Sequence, residues 1–129
     1  MKEIKFRGKR IDNGEWIYGN LIKDNDEHYY IVNDHGTFRS LIEVIPKTVG
    51  EYTGLKDKNS KEIYEGDIVR VSEEYAGNTY MPMKVGFKNQ CFVLINIYSE
   101  GNYNPMFEYD FTQKYEVIGN IYDNPELLN

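Results

Sequence analysis

The chain has 129 residues, a net charge of −6, 40% apolar and 15% aromatic residues. Ile (13) and Val (8) far outnumber Leu (6) and a single Ala, and 12 of the aromatics are Tyr; strands favour this palette and helices do not. That excludes a mainly helical protein, and enough apolar residues are present to exclude a disordered one.

In chain order, period-two alternation marks strands at Ile4–Arg7, Glu15–Ile22, Tyr29–Val32, Ile42–Ile45, Asp67–Val71 and Tyr115–Tyr122. Asp12-Asn13-Gly14 separates the first two as a hairpin turn, because Asn and Gly tolerate positive φ. Asn25-Asp26 separates the next two, and Asp57-Lys58-Asn59-Ser60 forms another turn cluster. In Tyr80–Phe87 the residues Met81, Met83, Val85 and Phe87 share one face; Pro82 has no N–H to donate, so an edge or bulged strand is expected there. Cys91–Ile97 is almost wholly apolar and reads as a central strand buried on both faces. Met106–Phe111 alternates wet and dry residues, and Asn124–Leu128 has room for one helical turn. The expected fold is therefore all-β, mainly antiparallel with very little helix. Hairpin strands carrying a basic arm fill residues 1–46, and residues 47–129 form a small roll or barrel, with a boundary near Pro46–Gly54.

Charge is unevenly placed. Lys2, Lys5, Arg7, Lys9 and Arg10 crowd the first ten residues against Glu3. Six acids stand against Lys114 in residues 98–129. The acidic balance of the whole chain argues against a dedicated nucleic-acid binder, while the basic arm is the place where phosphate would be gripped if it were one. The lone Cys91 excludes an internal disulfide and a cysteine-rich zinc site, and its apolar surroundings make it a packing residue. The first ten residues have no apolar stretch of a signal peptide, and no run is long enough to span a bilayer, so a cytoplasmic protein is expected.

No catalytic grouping stands out. His28 and His35 lie among Asp24, Asp26, Glu27 and Asp34, but an ordinary polar hairpin loop explains that cluster better than a metal site. Ser40, Ser60, Ser72, Ser99 and Cys91 sit in no nucleophile motif. The expectation is no enzyme, no metal and no cofactor. Tyr18, Tyr29, Tyr30, Tyr75, Tyr80, Tyr98 and Tyr103 exceed what a small core can hide. On an acidic chain such tyrosines suit protein contacts better than nucleobase stacking.

One stretch is distinctive: Pro46-Lys47-Thr48-Val49-Gly50, then Tyr52-Thr53-Gly54-Leu55-Lys56-Asp57-Lys58-Asn59, then Lys61-Glu62-Ile63-Tyr64-Glu65-Gly66-Asp67-Ile68-Val69. Together with Lys2–Arg7 at the start and Glu116–Ile121 through Asn124–Leu128 at the end, it resembles the YopX family of phage and prophage proteins. The resemblance implies an SH3-like C-terminal roll and homo-oligomerisation, and it carries over no activity and no site residues. The residues of the motif have a fold explanation of their own, a hairpin followed by a Gly66 turn that delivers Asp67 into a strand. The expected function is a non-enzymatic accessory protein that self-associates and engages a host or phage protein. The alternative is a nucleic-acid-binding small barrel using Lys2, Lys5, Arg7, Lys9 and Arg10.

Overall fold

A computed structural model describes residues 3–35, 38–72, 82–96, 103–106 and 114–128. The protein is all-β and antiparallel. Among the described residues it builds eleven strands and two 3-10 turns. No helix among them is long and apolar enough to cross a membrane. The chain divides into two compact units, Met1–Tyr52 and Thr53–Asn129.

In the first unit, β1 (Phe6–Lys9), β2 (Trp16–Lys23), β3 (Tyr29–His35) and β4 (Phe38–Val44) form a meander in the order β4-β3-β2-β1. The strand β5 (Gly50–Lys56) begins here, its Gly50 and Glu51 pairing with Arg7 and Phe6. The Asp12-Asn13-Gly14 turn forms as its residues demand: Gly14 sits at φ 74° and donates its N–H to the Arg10 carbonyl. Gly19 is required for a different reason, since a Cβ there would come within 2.2 Å of the Val32 carbonyl oxygen on β3. The sheet curls until its ends meet. Arg10 bridges Val44, the Ile11 N–H donates to the Glu43 carbonyl, and the Ile45 N–H donates to that of Lys9. A 3-10 turn at Pro46–Thr48 locks this closure, because the buried Thr48 hydroxyl donates to the Ile45 carbonyl and accepts from the Lys9 N–H. Inside the curl lie Ile17, Ile31 and Val44, with Phe6, Leu21, Tyr29, Ile42 and Val49 packed against them. The spacing of two along each strand is what collects these residues on one face.

In the second unit, the later half of β5 and β6 (Glu62–Tyr64) flank the Asp57–Ser60 turn. A five-stranded sheet follows in the order β10-β9-β8-β7-β11, built from β7 (Asp67–Val71), β8 (Met83–Lys88), β9 (Cys91–Asn96), β10 (Tyr103–Pro105) and β11 (Tyr115–Asn120). Its core gathers Ile63, Val69, Val85, Leu94, Met106 and Tyr115. Val93, Leu94 and Ile95 are buried in succession, as expected for a strand covered on both faces. The C-terminal helical turn is a 3-10 turn at Pro125–Leu128.

Three expectations change. The strand holding Met83 and Val85 is not at an edge: β8 runs between β7 and β9, and Pro82 lies one residue before it, where the missing N–H costs no ladder bond. Cys91 is half-exposed, because it opens β9 beside the turn and faces Lys88, to whose carbonyl it donates its S–H. The strand expected to start at Ile42 begins at Phe38. The alternation at 107–111 lies outside the described residues.

Candidate functional site

The residues of the distinctive central motif are engaged in folding the second unit. Asp57 is 2% exposed; its Oδ1 accepts the N–H groups of Asn59 and Lys61 at 2.8 and 2.9 Å, and its Oδ2 accepts that of Val117 on β11 at 2.9 Å. One carboxylate thus shapes the turn and ties it to a strand 60 positions away. The Thr53 hydroxyl donates to the Ile63 carbonyl and accepts from the Leu55 N–H, stitching β5 to β6. Gly66 takes φ 95°, donates its N–H to the Val85 carbonyl and accepts from the Ile121 N–H. Buried Asp67 accepts the Tyr64 N–H at 2.7 Å. These groups hold turns.

The basic residues of the first unit are not a free arm. Lys2 lies outside the described residues. Arg7 and Lys9 are in β1, between β2 and β5, with Lys5 just before it. Their spacing of two puts all three on the face opposite Phe6, where aromatic rings receive them. Arg7 stacks over Trp16 at 4.6 Å, Lys9 lies 5.7 Å from the same ring, and Lys5 lies 5.5 Å from Tyr52. Arg7 is only 5% exposed. Arg10 makes a two-pronged pair with Asp12 at 2.9 and 2.7 Å. That hydrogen bond holds the Asp12 carboxyl below the usual carboxylate range. Lys5 also pairs with Glu3 at 3.6 Å. Arg7 is thus buried against Trp16, while the Arg10–Asp12 pair stays on the surface.

The acidic loop between β2 and β3 is an ordinary polar turn. The Asp24 Oδ1 accepts the main-chain N–H groups of His28 and Asp26, and the Tyr30 hydroxyl donates to its Oδ2. The His28 bond is the main cause lowering the Asp24 pKa; desolvation opposes it, and the bonds of Asp26 and Tyr30 add to it. His28 stands 3.8 Å from Asp24 and 3.6 Å from Glu43 and is half-exposed. The His35 side chain lies outside the described ones. Among the described residues no group of three or more His, Cys, Asp and Glu could hold a metal ion.

An apolar surface remains. Register places Ile22 beside Tyr30, and Val32 beside Leu41, on the outward face of β2, β3 and β4. Leu41 is 61% exposed, Tyr18 47% and Ile22 44%. Ile4, Tyr18 and Val32 line a shallow groove on this unit, and Ile11, Leu41 and Ile42 line another. The excess of tyrosines singled out Tyr18, Tyr29 and Tyr30; Tyr29 instead packs against the core of this unit, and Ile22 and Leu41 were missed. Each sits in an apolar pair, Leu21-Ile22 and Leu41-Ile42, of which one member must face outward. Tyr75, Tyr80 and Tyr98 lie outside the described residues, as does the side chain of Tyr103.

Among solved structures the chain is similar to protein EF1440 of Enterococcus faecalis, with 22% identity, a TM-score of 0.57 and full coverage of both chains. It is also similar to protein yopX of Bacillus subtilis, with 19% identity, a TM-score of 0.61, and coverage of 100% of this chain and 98% of that one. At these identities the likeness carries the fold alone. Comparison with curated proteins finds no match. The family model described as YopX protein matches residues 5–129, nearly the whole length over which the two structures align, and the chain belongs to the YopX family.

Proposed function

We propose that this chain is a non-enzymatic accessory protein of a phage or prophage, working in the bacterial cytoplasm by self-association and by binding a host or phage protein. The observation that carries this reading is the outward face of the first unit, where Tyr18, Ile22 and Leu41 are 44–61% exposed beside Tyr30 and Val32. Single exposed apolar residues are ordinary, but adjacent ones on a sheet face are the composition of a contact surface. Two buried carboxylates of the distinctive motif support the same reading, since Asp57 and Asp67 accept main-chain N–H groups that hold turns. In the second unit, the meander β7-β8-β9-β10 with β11 returning beside β7 supports an SH3-like roll.

The nucleic-acid alternative draws on Lys2, Lys5, Lys9 and Arg10, whose pair with Asp12 lies on the surface, once Arg7 is buried. Native mass spectrometry of the untagged protein across micromolar concentrations separates the readings. A defined homo-oligomer, or a stoichiometric complex with one protein, is the expected result. A strictly monomeric chain with no retained protein overturns it. Bound nucleic acid released steeply by salt, and lost in Lys9→Glu/Arg10→Glu, puts the alternative in its place.

A further inference from the structure

We propose that residues 38–42 of β4 form the edge at which a second copy of this chain docks, strand against strand, about a two-fold axis at Ser40. This rests on the self-association reading above and names its surface. In its sheet β4 is an end strand. The outer side of its last residues is already taken, with the Ile11 N–H donating to the Glu43 carbonyl and the Ile45 N–H donating to that of Lys9. Those two bonds fix which main-chain groups of β4 point away from β3: the odd-numbered ones. The pairing of β4 with β3 runs from His35↔Phe38 to Tyr29↔Val44 without a register shift. The N–H and C=O of residues 39 and 41 therefore point outward too. Among the described residues no hydrogen bond reaches the Leu41 main chain from that side. An unpaired edge beside an exposed Leu41 is a template for another strand.

The length of this edge, and the charges along it, select a second copy as the occupant. The edge runs from Phe38, where β4 begins, to the residues met by Ile11, so its centre is Ser40. Antiparallel pairing about that centre sets residue 39 opposite 41 of the second copy, 40 opposite 40, and 41 opposite 39. Each 39–41 pair exchanges both its N–H···O bonds. Ser40, small and exposed, falls at the close-approach pair on the axis. Leu41 of each copy becomes a diagonal neighbour of its counterpart. Position 39, an arginine, becomes a diagonal neighbour of Glu43 in the other copy, twice by symmetry. The chain thus carries its own complement: opposite charges at the two ends of an apolar pair.

Sedimentation equilibrium of the full chain tests this. Leu41→Pro deletes an N–H that the β3 ladder does not use, and Leu41→Lys puts a charge on the edge without touching the backbone. Each is expected to weaken dimerisation at least tenfold with an unchanged circular dichroism spectrum, and Leu41→Lys remains informative if Leu41→Pro fails to fold. Arg39→Glu and Glu43→Arg are each expected to weaken it, and the two together to restore it. A wild-type chain that oligomerises undiminished in Leu41→Lys overturns the edge and leaves self-association standing. A charge-reversed pair no better than its single variants also overturns it. A wild-type chain that stays monomeric removes both readings.

Discussion

Asp57 is nearly sealed from solvent, and main-chain N–H groups from Asn59, Lys61 and Val117 occupy its two oxygens. Removing the carboxylate takes the partner from the Val117 N–H, while the N–H groups of the exposed Asn59 and Lys61 can turn to water; a donor left unpaired inside the fold costs about 1–3 kcal/mol. Asp57→Ala should therefore lower the free energy of unfolding by roughly 1–3 kcal/mol, and Asp57→Asn by less because one acceptor survives; urea titration of the three proteins checks the order. An Ala variant as stable as wild type would sink this account of the turn. Asp24 makes a prediction of the opposite kind, in pH. The His28 N–H is the largest cause holding its pKa below the ordinary value, so the folded chain releases this proton more readily than the unfolded one. Its stabilising contribution is full above the unfolded carboxylate range and fades as pH falls through the lower folded value. A carboxyl-detected NMR titration should find Asp24 titrating below the ordinary aspartate range. A titration at the ordinary value would mean that the hydrogen bonds from His28 and Asp26 are absent in solution. The Asx turn itself is legible from Asp57, Asn59 and Ser60 in sequence, whereas the bond to Val117 is not, because its partner is 60 positions away.

Some strands were legible from local pattern. The extents of β2 and β7 are read nearly to the residue, and the unbroken apolar run at β9 gives its burial on both faces, whereas β4 starts four residues before its expected Ile42. What escaped detection was the place of β8 in its sheet, since strand order depends on pairings far along the chain. The hairpin between β8 and β9 was also silent. Its two turn residues, Asn89 and Gln90, both have positive φ, at 52° and 65°, but glutamine is not a residue that announces such a turn. Holding an ordinary side chain there costs about 1–2 kcal/mol relative to the right-handed region. Gln90→Gly removes that strain, offset in part by a freer unfolded chain, and is expected to stabilise the protein by about 0.5–1 kcal/mol. Thermal melting followed at the β-sheet signal reads the gain. A loss of stability would show that the Gln90 side chain makes contacts worth more than the strain.

At the scale of the whole molecule, the palette of Ile, Val and Tyr fixes an all-β chain, while burial decides what its charges do. The alternation of Lys5, Arg7 and Lys9 was visible, but the stacking of Arg7 on Trp16 and its near-complete burial depend on strands that meet only in three dimensions. Cooperative stability should also differ between the two units. The first has 52 residues and a cluster of three buried apolar side chains, Ile17, Ile31 and Val44; the second has 77 residues and a cluster of six. Stability grows with the apolar surface removed from water, so the first unit is expected to open at lower free energy. Native-state hydrogen exchange should show β2 and β3 less protected than β7 and β9. Ile31→Ala, expected to cost about 2–5 kcal/mol at a fully buried site, should deepen the difference by lowering protection across β2, β3 and β4 more than across β7–β9. Equal losses in both units would mean that they open as one cooperative body. Greater protection of β2 and β3 in the unaltered chain would mean that closure at Val44 and Thr48 stabilises the small unit beyond what its core supplies.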